Sequence, residues 1–317
     1  MVNFSKFLSL KLILTVAICT YNRSEFLLKS LNELILQTSK ISEIIEILVI
    51  DNNSNDNTLE VVRSLKKKFP KLFISYYLEN NQGLSYARNS AIQESKGDFI
   101  AFIDDDAVIG KSWLKSLLYG INNIKAEVFG GPIYPNFEIN CPNWIDSNYF
   151  KRFFKKNDGY LSGLSSMIGF SGGNVCFKKN IFDSVGNFNV KLGMIGNKMG
   201  LGEETDLFIR LYKSSIEIKL YNLKKMAIIH FEGEYKLKKK YLKQRITLSG
   251  VQFVNRVLYF NKKKGIILII LKFFKQILLL FIFFICSVLS QKAYFNYLRS
   301  CWIIKGLSNG IIKSFND

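Results

Sequence analysis

The chain has 317 residues, 48% of them hydrophobic and 14% aromatic, with only four prolines. That excludes a disordered or low-complexity chain and suffices for one large α/β domain with an appendage or two modest domains. The formal charge of +19 is uneven: Lys236 to Asp317 carries 16 Lys and Arg against one acid, whereas residues 1 to 235 carry 28 against 24. Five cysteines, odd in number and without a CxxC pair, point to neither a disulfide framework nor a zinc site, and fit a reducing compartment.

In chain order, Lys6 precedes an apolar stretch from Leu8 to Cys19 in the manner of a secretory signal. Lys11 interrupts it and no small-residue cleavage site follows, so Leu12 to Cys19 reads as a first buried strand running into the turn Thr20-Tyr-Asn-Arg23. A helical pattern covers Ser24 to Gln37. The apolar run Ile44 to Ile50 then ends at Asp51 to Thr58, a loop rich in helix-capping residues. A helix to about Lys68, a strand Leu72 to Tyr77, a helix Leu84 to Ser95 and a strand Asp98 to Ile103 follow.

Near-continuous apolar strands alternating with helices predict a mostly parallel sheet covered on both faces, with ligands outside the carboxyl ends of the strands. Thr20 to Arg23, Asp51 to Thr58 and Asp104 to Asp106 should therefore share one edge. Beyond them the pattern predicts a helix Trp113 to Tyr119 and a strand Val128 to Ile133. A Gly turn feeds a short strand within Phe170 to Phe177, and a helix opens within Gly202 to Tyr212. Strands are expected at Ile216 to Tyr221 and Met226 to His230.

Asp104, Asp105 and Asp106 directly follow the apolar run Phe99 to Ile103. Such neighbouring carboxylates repel one another unless a cation or strong hydrogen bonding offsets the repulsion, and a divalent ion is the simplest agent. An acidic solvated turn is the plain alternative. His230, the single histidine, would by itself more often be a satisfied core residue than a ligand. Gly172 and Gly173 either let the backbone approach a ligand or merely form a turn, and the Asn174 amide suits a ligand hydroxyl.

Taken together and in order, the segments 17–23, 49–58, 81–89, 102–107, 172–174 and 202–207, with His230, resemble the family 2 glycosyltransferases with the GT-A fold, over about Leu12 to Glu232. The resemblance implies a Rossmann-like sheet and inverting transfer of a sugar from a nucleotide-sugar, UDP- or GDP-linked, to a hydroxyl of a glycan or lipid-linked acceptor. Polysaccharide or cell-envelope glycoconjugate biosynthesis is the setting it suggests. It implies Mg²⁺ or Mn²⁺ held through an Asp-x-Asp pattern by Asp106, with Asp104 at the metal or ribose, and by His230. Thr20, Tyr21, Asn22, Arg23, Asp51, Asn53, Gly83, Arg88, Asp105, Gly173 and Asn174 would line the nucleotide-sugar. Asp51 would meet the base, Asp105 would contact donor or point into the fold, and Arg88 would flank the nucleotide or partner the acids. Glu204 is expected as the base that takes the acceptor proton; the family usually has Glu-Asp where this chain has Glu203-Glu204, so Glu203 shares the assignment.

Residues 1–235 are thus expected to form the catalytic domain and 236–317 a basic, helical membrane-associating region. Basic residues interleaved with Leu, Ile and Phe favour an anionic membrane surface over nucleic acid. Ile266 to Leu289 approaches spanning length, but Lys272, Lys275 and Gln276 would be costly at bilayer depth, so a helix lying in the interface is preferred to a single span. The cytoplasmic face is the expected location. A soluble core or dimer helix fits the uniformly apolar Leu278 to Ile285 less well. The rival readings are a nucleotidyl or phosphoryl transferase, for which no GxxxxGK[ST] loop is present, and a non-catalytic basic membrane-binding protein.

Overall fold

A computed structural model describes residues 12–41, 45–152, 155–162, 169–214, 216–260, 262–287 and 290–316, with side chains omitted at 260, 315 and 316. Leu8 to Lys11, Ile44 and Leu289, which entered the reading above, lie outside them. Strand β1 (Leu14–Thr20), helix α1 (Ser24–Thr38), β2 (Ile45–Asp51), α2 (Thr58–Lys68), β3 (Phe73–Leu78), α3 (Leu84–Glu94) and β4 (Phe99–Asp104) alternate as expected. Then come β5 (Ala107–Ile109), α4 (Trp113–Asn123), β6 (Val128–Gly130), β7 (Ile133–Phe137), β8 (Gly159–Tyr160), β9 (Asn174–Lys178), α5 (Ile181–Val185), α6 (Glu203–Lys213), β10 (Leu220–Asn222) and β11 (Ile228–Glu232).

The main sheet has eight strands in the order β3-β2-β1-β4-β9-β6-β10-β8. Strands β3, β2, β1 and β4 are parallel, and β9 runs against both of its neighbours, β4 and β6. The register pairs Thr20 with Asp51, Cys19 with Asp104, and Ile103 with Asn174, so the ends of β1, β2 and β4 and the start of β9 share one edge. Alternate side chains enter opposite faces of the sheet. Leu14, Val16 and Ile18 pack with α1, α2 and α4, whereas Ala17, Leu48 and Ile50 pack with α3, α5 and α6. Each large side chain removed from water in this way contributes roughly 1.5–3 kcal/mol.

Two sequence expectations are corrected here. The strand expected over Val128 to Ile133 breaks at Gly131-Pro132, where Pro132 has no N–H for a ladder and its carbonyl accepts from Ile228 N instead. Only Leu220 and Tyr221 of the strand expected over Ile216 to Tyr221 are paired in the sheet; Ile216 is exposed, while Ile218 packs against the core from outside the ladder. A second sheet, ordered β5-β11-β7, pairs His230 with Ala107 in antiparallel register.

Backbone contacts divide the chain into two compact units, residues 1–134, 152–198 and 203–230 in one, and 135–151, 199–202 and 231–317 in the other. The second is dominated by α7 (Lys239–Phe260), α8 (Lys262–Ser287) and α9 (Gln291–Asn316). Helices α7 and α9 cross at glycines: a Cβ on Gly306 would sit 2.2 Å from Thr247 O, and one on Gly250 would sit 2.8 Å from Gly306 Cα. Leu242, Ile246, Phe295 and Trp302 form one apolar cluster of this unit, and Val254, Val257, Ile269 and Leu307 another. Lys272, Lys275 and Gln276 differ in burial: Gln276 is buried, Lys272 is half-buried against Phe253, and Lys275 stays exposed.

Candidate functional site

The loop after β1 and the loop after β2 are tied to each other. Asn22 N donates to Ser54 Oγ, Asn55 N to Asn22 Oδ1, and Ser24 N to Asp56 Oδ2, at 2.7–2.9 Å. Asn22 and Asn53 adopt positive φ of 52° and 66°, a conformation that Asn tolerates better than most residues. Tyr21 is half-buried in the first of these loops. Asp51, almost wholly buried, accepts from Ser54 N at 2.9 Å and from the Tyr76 hydroxyl at 2.8 Å. Asn52, which the sequence reading passed over, organises the next loop: its amide donates to the carbonyls of Glu79 and Asn81, and its Oδ1 accepts from Gly83 N at 2.7 Å.

The three aspartates diverge. Asp105 turns inward, where its carboxylate accepts from Thr20 Oγ1 at 2.9 Å and from Arg23 at 3.1 Å. Burial and the nearby acids Asp106 and Asp104, against Arg23, push its carboxyl up to about 6. Asp106 shares the same Arg23 nitrogen at 3.1 Å and meets His230 Nε2 at 3.1 Å. Asp104 lies 3.6 Å from His230 Nε2 and 4.0 Å from Arg88. Burial opposes its ionisation, but the His230 hydrogen bond and charge hold its carboxyl below the usual range.

One ligand atom each from Asp104, Asp106 and His230 lies within 4.8 Å of the others. Two hard carboxylate oxygens and one imidazole nitrogen form a donor set that suits Mn²⁺, and Mg²⁺ where water and phosphate oxygens complete the shell. The antiparallel pairing of β11 with β5 brings this about, since His230 stands opposite Ala107, the residue after Asp106.

Arg88 links this cluster to the start of α6. Almost fully buried, it contacts Glu203 at 3.1 Å and Glu204 at 3.5 Å, with its guanidinium 5.3 Å from the centre of the Phe188 ring. Burial disfavours its charge, but Glu204, Glu203 and Asp104 outweigh that and hold it protonated. Glu203 is buried, with Oε2 lacking a hydrogen bond among the described residues; burial and Glu204, against Arg88, push its carboxyl up to about 8. Glu204 is the more open of the two, and its Oε1 accepts from Gly172 N at 3.1 Å.

Gly172 and Gly173 are required by close approach. A Cβ on Gly172 would stand 2.4 Å from both Arg88 Nη2 and Glu204 Oε1, and one on Gly173 would stand 2.0 Å from Asp104 Oδ2. The Asn174 side chain does not join them. It is fully buried, accepting from Trp113 Nε1 at 2.9 Å and donating to the carbonyls of Met226 and Pro132, so the expected bond to a sugar hydroxyl has no free group behind it.

The strand ends thus gather Thr20, Arg23, Asp104, Asp105, Asp106, Arg88, Gly172, Gly173, Glu203, Glu204 and His230 into one connected set, with Asp51, Asn53 and Gly83 in the adjoining loops. Chemically it combines a cation seat, fixed positive charge and an accessible carboxylate.

Residues 15–186, more than half of the chain, match the family model of Glycosyl transferase family 2. Among curated proteins the chain is similar to a glucosyl-dolichyl phosphate glucuronosyltransferase of Haloferax volcanii, 26% identical over 70% of each chain. It is also similar to a GalNAc(5)-diNAcBac-PP-undecaprenol beta-1,3-glucosyltransferase of Campylobacter jejuni, 31% identical over 63% of this chain and 60% of that one. Among solved structures, TarS of Staphylococcus aureus with UDP-GlcNAc matches at TM-score 0.54 and 20% identity over 77% of this chain and 67% of that one. The mannosyltransferase PcManGT of Pyrobaculum calidifontis with GDP-Man and Mn²⁺ matches at TM-score 0.56 and 14% identity over 97% and 76%. At those identities the structural likenesses speak to the fold alone, a GT-A glycosyltransferase fold.

Proposed function

Since the chain belongs to glycosyl transferase family 2 and is a glycosyltransferase, we propose that it moves a sugar from a UDP- or GDP-sugar to a hydroxyl of a lipid-linked or polysaccharide acceptor, with a divalent cation and inversion at the anomeric carbon. The observation that carries this reading is the Arg88 bridge, which joins Asp104 of the cation seat to Glu204 through contacts of 4.0 and 3.5 Å.

Asp104, Asp106 and His230 would hold Mn²⁺ or Mg²⁺, whose charge stabilises the departing diphosphate. The two tied loops, with Asp51, would seat base and ribose, and Arg23 would add positive charge beside the phosphates. Glu204 accepts the acceptor hydroxyl proton as that oxygen bonds to the anomeric carbon, while the bond from that carbon to the nucleoside diphosphate breaks and the diphosphate keeps the electron pair. Buried Glu203, 3.1 Å from Arg88, orients that guanidinium and leaves the base role to its neighbour.

Residues 236–317 are read as the membrane-associating part, lying on a cytoplasmic membrane face with α8 in the interface. This helix is long and apolar enough to cross a membrane. Its exposed side chains include Leu271, Phe274, Leu278 and Ile285, and the exposed Lys262, Lys263 and Lys264 at its start suit anionic headgroups.

Thermal unfolding with UDP and with GDP, each with and without Mn²⁺, tests the core of the proposal. Stabilisation by one nucleotide only in the presence of the ion is expected, and its abolition in Asp106→Asn ties the ion to the seat. Equal stabilisation with the ion chelated would remove the cation from the reading.

A further inference from the structure

The stretch that follows α5, from Phe188 to Met194, takes no part in the transfer chemistry described above, yet it is fastened to α3 at three places. The Asn89 side chain and the Phe188 backbone pair reciprocally: Asn89 Nδ2 donates to Phe188 O and Phe188 N donates to Asn89 Oδ1, both at 2.9 Å. Ser85 Oγ donates to Leu192 O at 2.8 Å, and Leu84 N donates to Met194 O at 2.9 Å. Positions 85, 88 and 89 stand three and four apart, so Ser85, Arg88 and Asn89 share one side of α3.

Both ends of the fastened stretch reach the Arg88–Glu203 pair. At one end the Phe188 ring centre lies 5.3 Å from the Arg88 guanidinium, within the range of about 6 Å over which a cation is attracted to an aromatic face. That ring is 3% exposed and packs edge-on against Phe102 at 5.8 Å and beside Phe182 at 6.3 Å, so close packing fixes its place. At the other end Gly193, with φ of 91°, comes so near that a Cβ on it would stand 3.1 Å from Glu203 Cδ. Arg88 serves three carboxylates at 3.1 to 4.0 Å, and Coulomb attraction has no preferred direction among them. A fixed ring supplies the direction.

We propose that Asn89 is a positioning residue for sugar transfer: by gripping the Phe188 backbone it fixes the ring against which Arg88 rests, and with it the placement of Arg88 between Glu204 and the cation seat. This rests on the reading of Glu204 as proton acceptor and extends the machinery to a residue outside the connected set of the site.

The test compares Asn89→Ala, Asn89→Asp, Phe188→Leu and the double variant Asn89→Ala/Phe188→Leu in the full chain. Val62→Ala, a core change in α2, controls for lost stability alone. The first readout is the Arg88 Nε–H resonance, expected to be ring-current shifted and slow to exchange in wild type and to lose both properties in Asn89→Ala and Phe188→Leu. The second is kcat and KM for release of nucleoside diphosphate from UDP-GlcNAc and from GDP-mannose, with Mn²⁺ present and water as acceptor. Asn89→Ala should lower kcat by about 10–100-fold and change KM by less than about threefold, because a displacement of about 1 Å can cost on the order of 100-fold. The double variant should lose no more than the worse single variant, since both act on one guanidinium.

An unshifted Arg88 resonance in wild type, wild-type kcat in Asn89→Ala, additive losses in the double variant, or an equal loss of kcat in Val62→Ala overturns the proposal. Asn89→Asp keeps the acceptor for Phe188 N and loses only the donor, so it should fall between wild type and Asn89→Ala in both readouts, and it carries the test where the alanine variant does not fold. Mn²⁺-dependent UDP or GDP binding is measured in parallel: its absence in wild type sinks the transferase reading, whereas its presence with wild-type behaviour of Asn89→Ala sinks only this assignment.

Discussion

Adding one methyl group at Gly173 separates the role of the cation seat from that of the fold. The new carbon would lie 2.0 Å from Asp104 Oδ2 and 2.4 Å from its Cγ, whereas carbon and oxygen rest at about 3.4 Å or more. Asp104 must therefore retreat by an ångström or more. A ligand oxygen tolerates an error of only about 0.2 Å before coordination suffers. Gly173→Ala should accordingly lower Mn²⁺ affinity by about 10–100-fold, the range typical when the support of a metal ligand is lost. The assay is calorimetric titration of Mn²⁺ into protein saturated with the nucleotide that stabilises wild type. Gly172→Ala is the companion, because its methyl meets Arg88 and Glu204 instead, both at 2.4 Å. It should spare Mn²⁺ affinity and depress kcat. Wild-type Mn²⁺ affinity in Gly173→Ala would refute the placement of Asp104 in the seat, and an identical profile for the two variants would refute the division of labour.

Glu204→Gln should keep nucleotide binding and lose about 10²–10⁴ in kcat, the usual contribution of a positioned proton acceptor; a comparable loss in Glu203→Gln alone would transfer the role to the buried neighbour. Glu203 also makes stability depend on pH. Its carboxyl titrates near 8 when folded and near 4.5 as a model group, so between those values the unfolded chain releases a proton that the folded chain keeps, and stability falls as pH rises through that window. Urea unfolding should find Glu203→Gln gaining on wild type by up to about 3 kcal/mol between pH 5.5 and 8.5; a pH-independent difference would contradict the burial argument. Replacing Leu271, Phe274 and Leu278 by Glu should lower vesicle binding by roughly 10³-fold or more, given about 1.5–3 kcal/mol for each buried side chain, and unchanged flotation would place the membrane contact elsewhere.

The half of the sheet from β1 to β4 was legible because buried parallel strands are nearly continuous apolar runs and each ends in polar residues of recognisable chemistry. Asp104 to Asp106 stood out for that reason. What each aspartate does was not legible: consecutive residues past a strand end point in different directions, and only the fold shows Asp105 turned to Thr20 while Asp104 and Asp106 turn to His230. The link from His230 to the acids runs through a three-residue strand, too short to register in apolar periodicity. Asn174 misled because its identity suggests sugar binding, while its partners, Trp113 Nε1 and two carbonyls, are distant in sequence. Glu203 and Glu204 differ by about 100° around a helix, so one must face inward, but composition alone does not say which. Asn52 carried a detectable signal, an amide at the first residue past a buried strand, which capping logic assigned to the loop as a whole.

The reversal of β9 has a bearing on how this chain can diverge. Because it enters the sheet against β4, the turn at Gly172-Gly173 arrives at the ligand edge at the beginning of a strand, and the 36 residues' worth of connection between Phe137 and Asn174 leaves the β1–β4 register untouched. Under the proposed function, rewriting the part of that connection before Gly172 would alter what meets the sugar and its recipient while leaving the pairings of Thr20 with Asp51 and of Cys19 with Asp104 in place. Inheritance of the leaving-group chemistry and innovation in what is built would on that reading fall to separate stretches of one polypeptide.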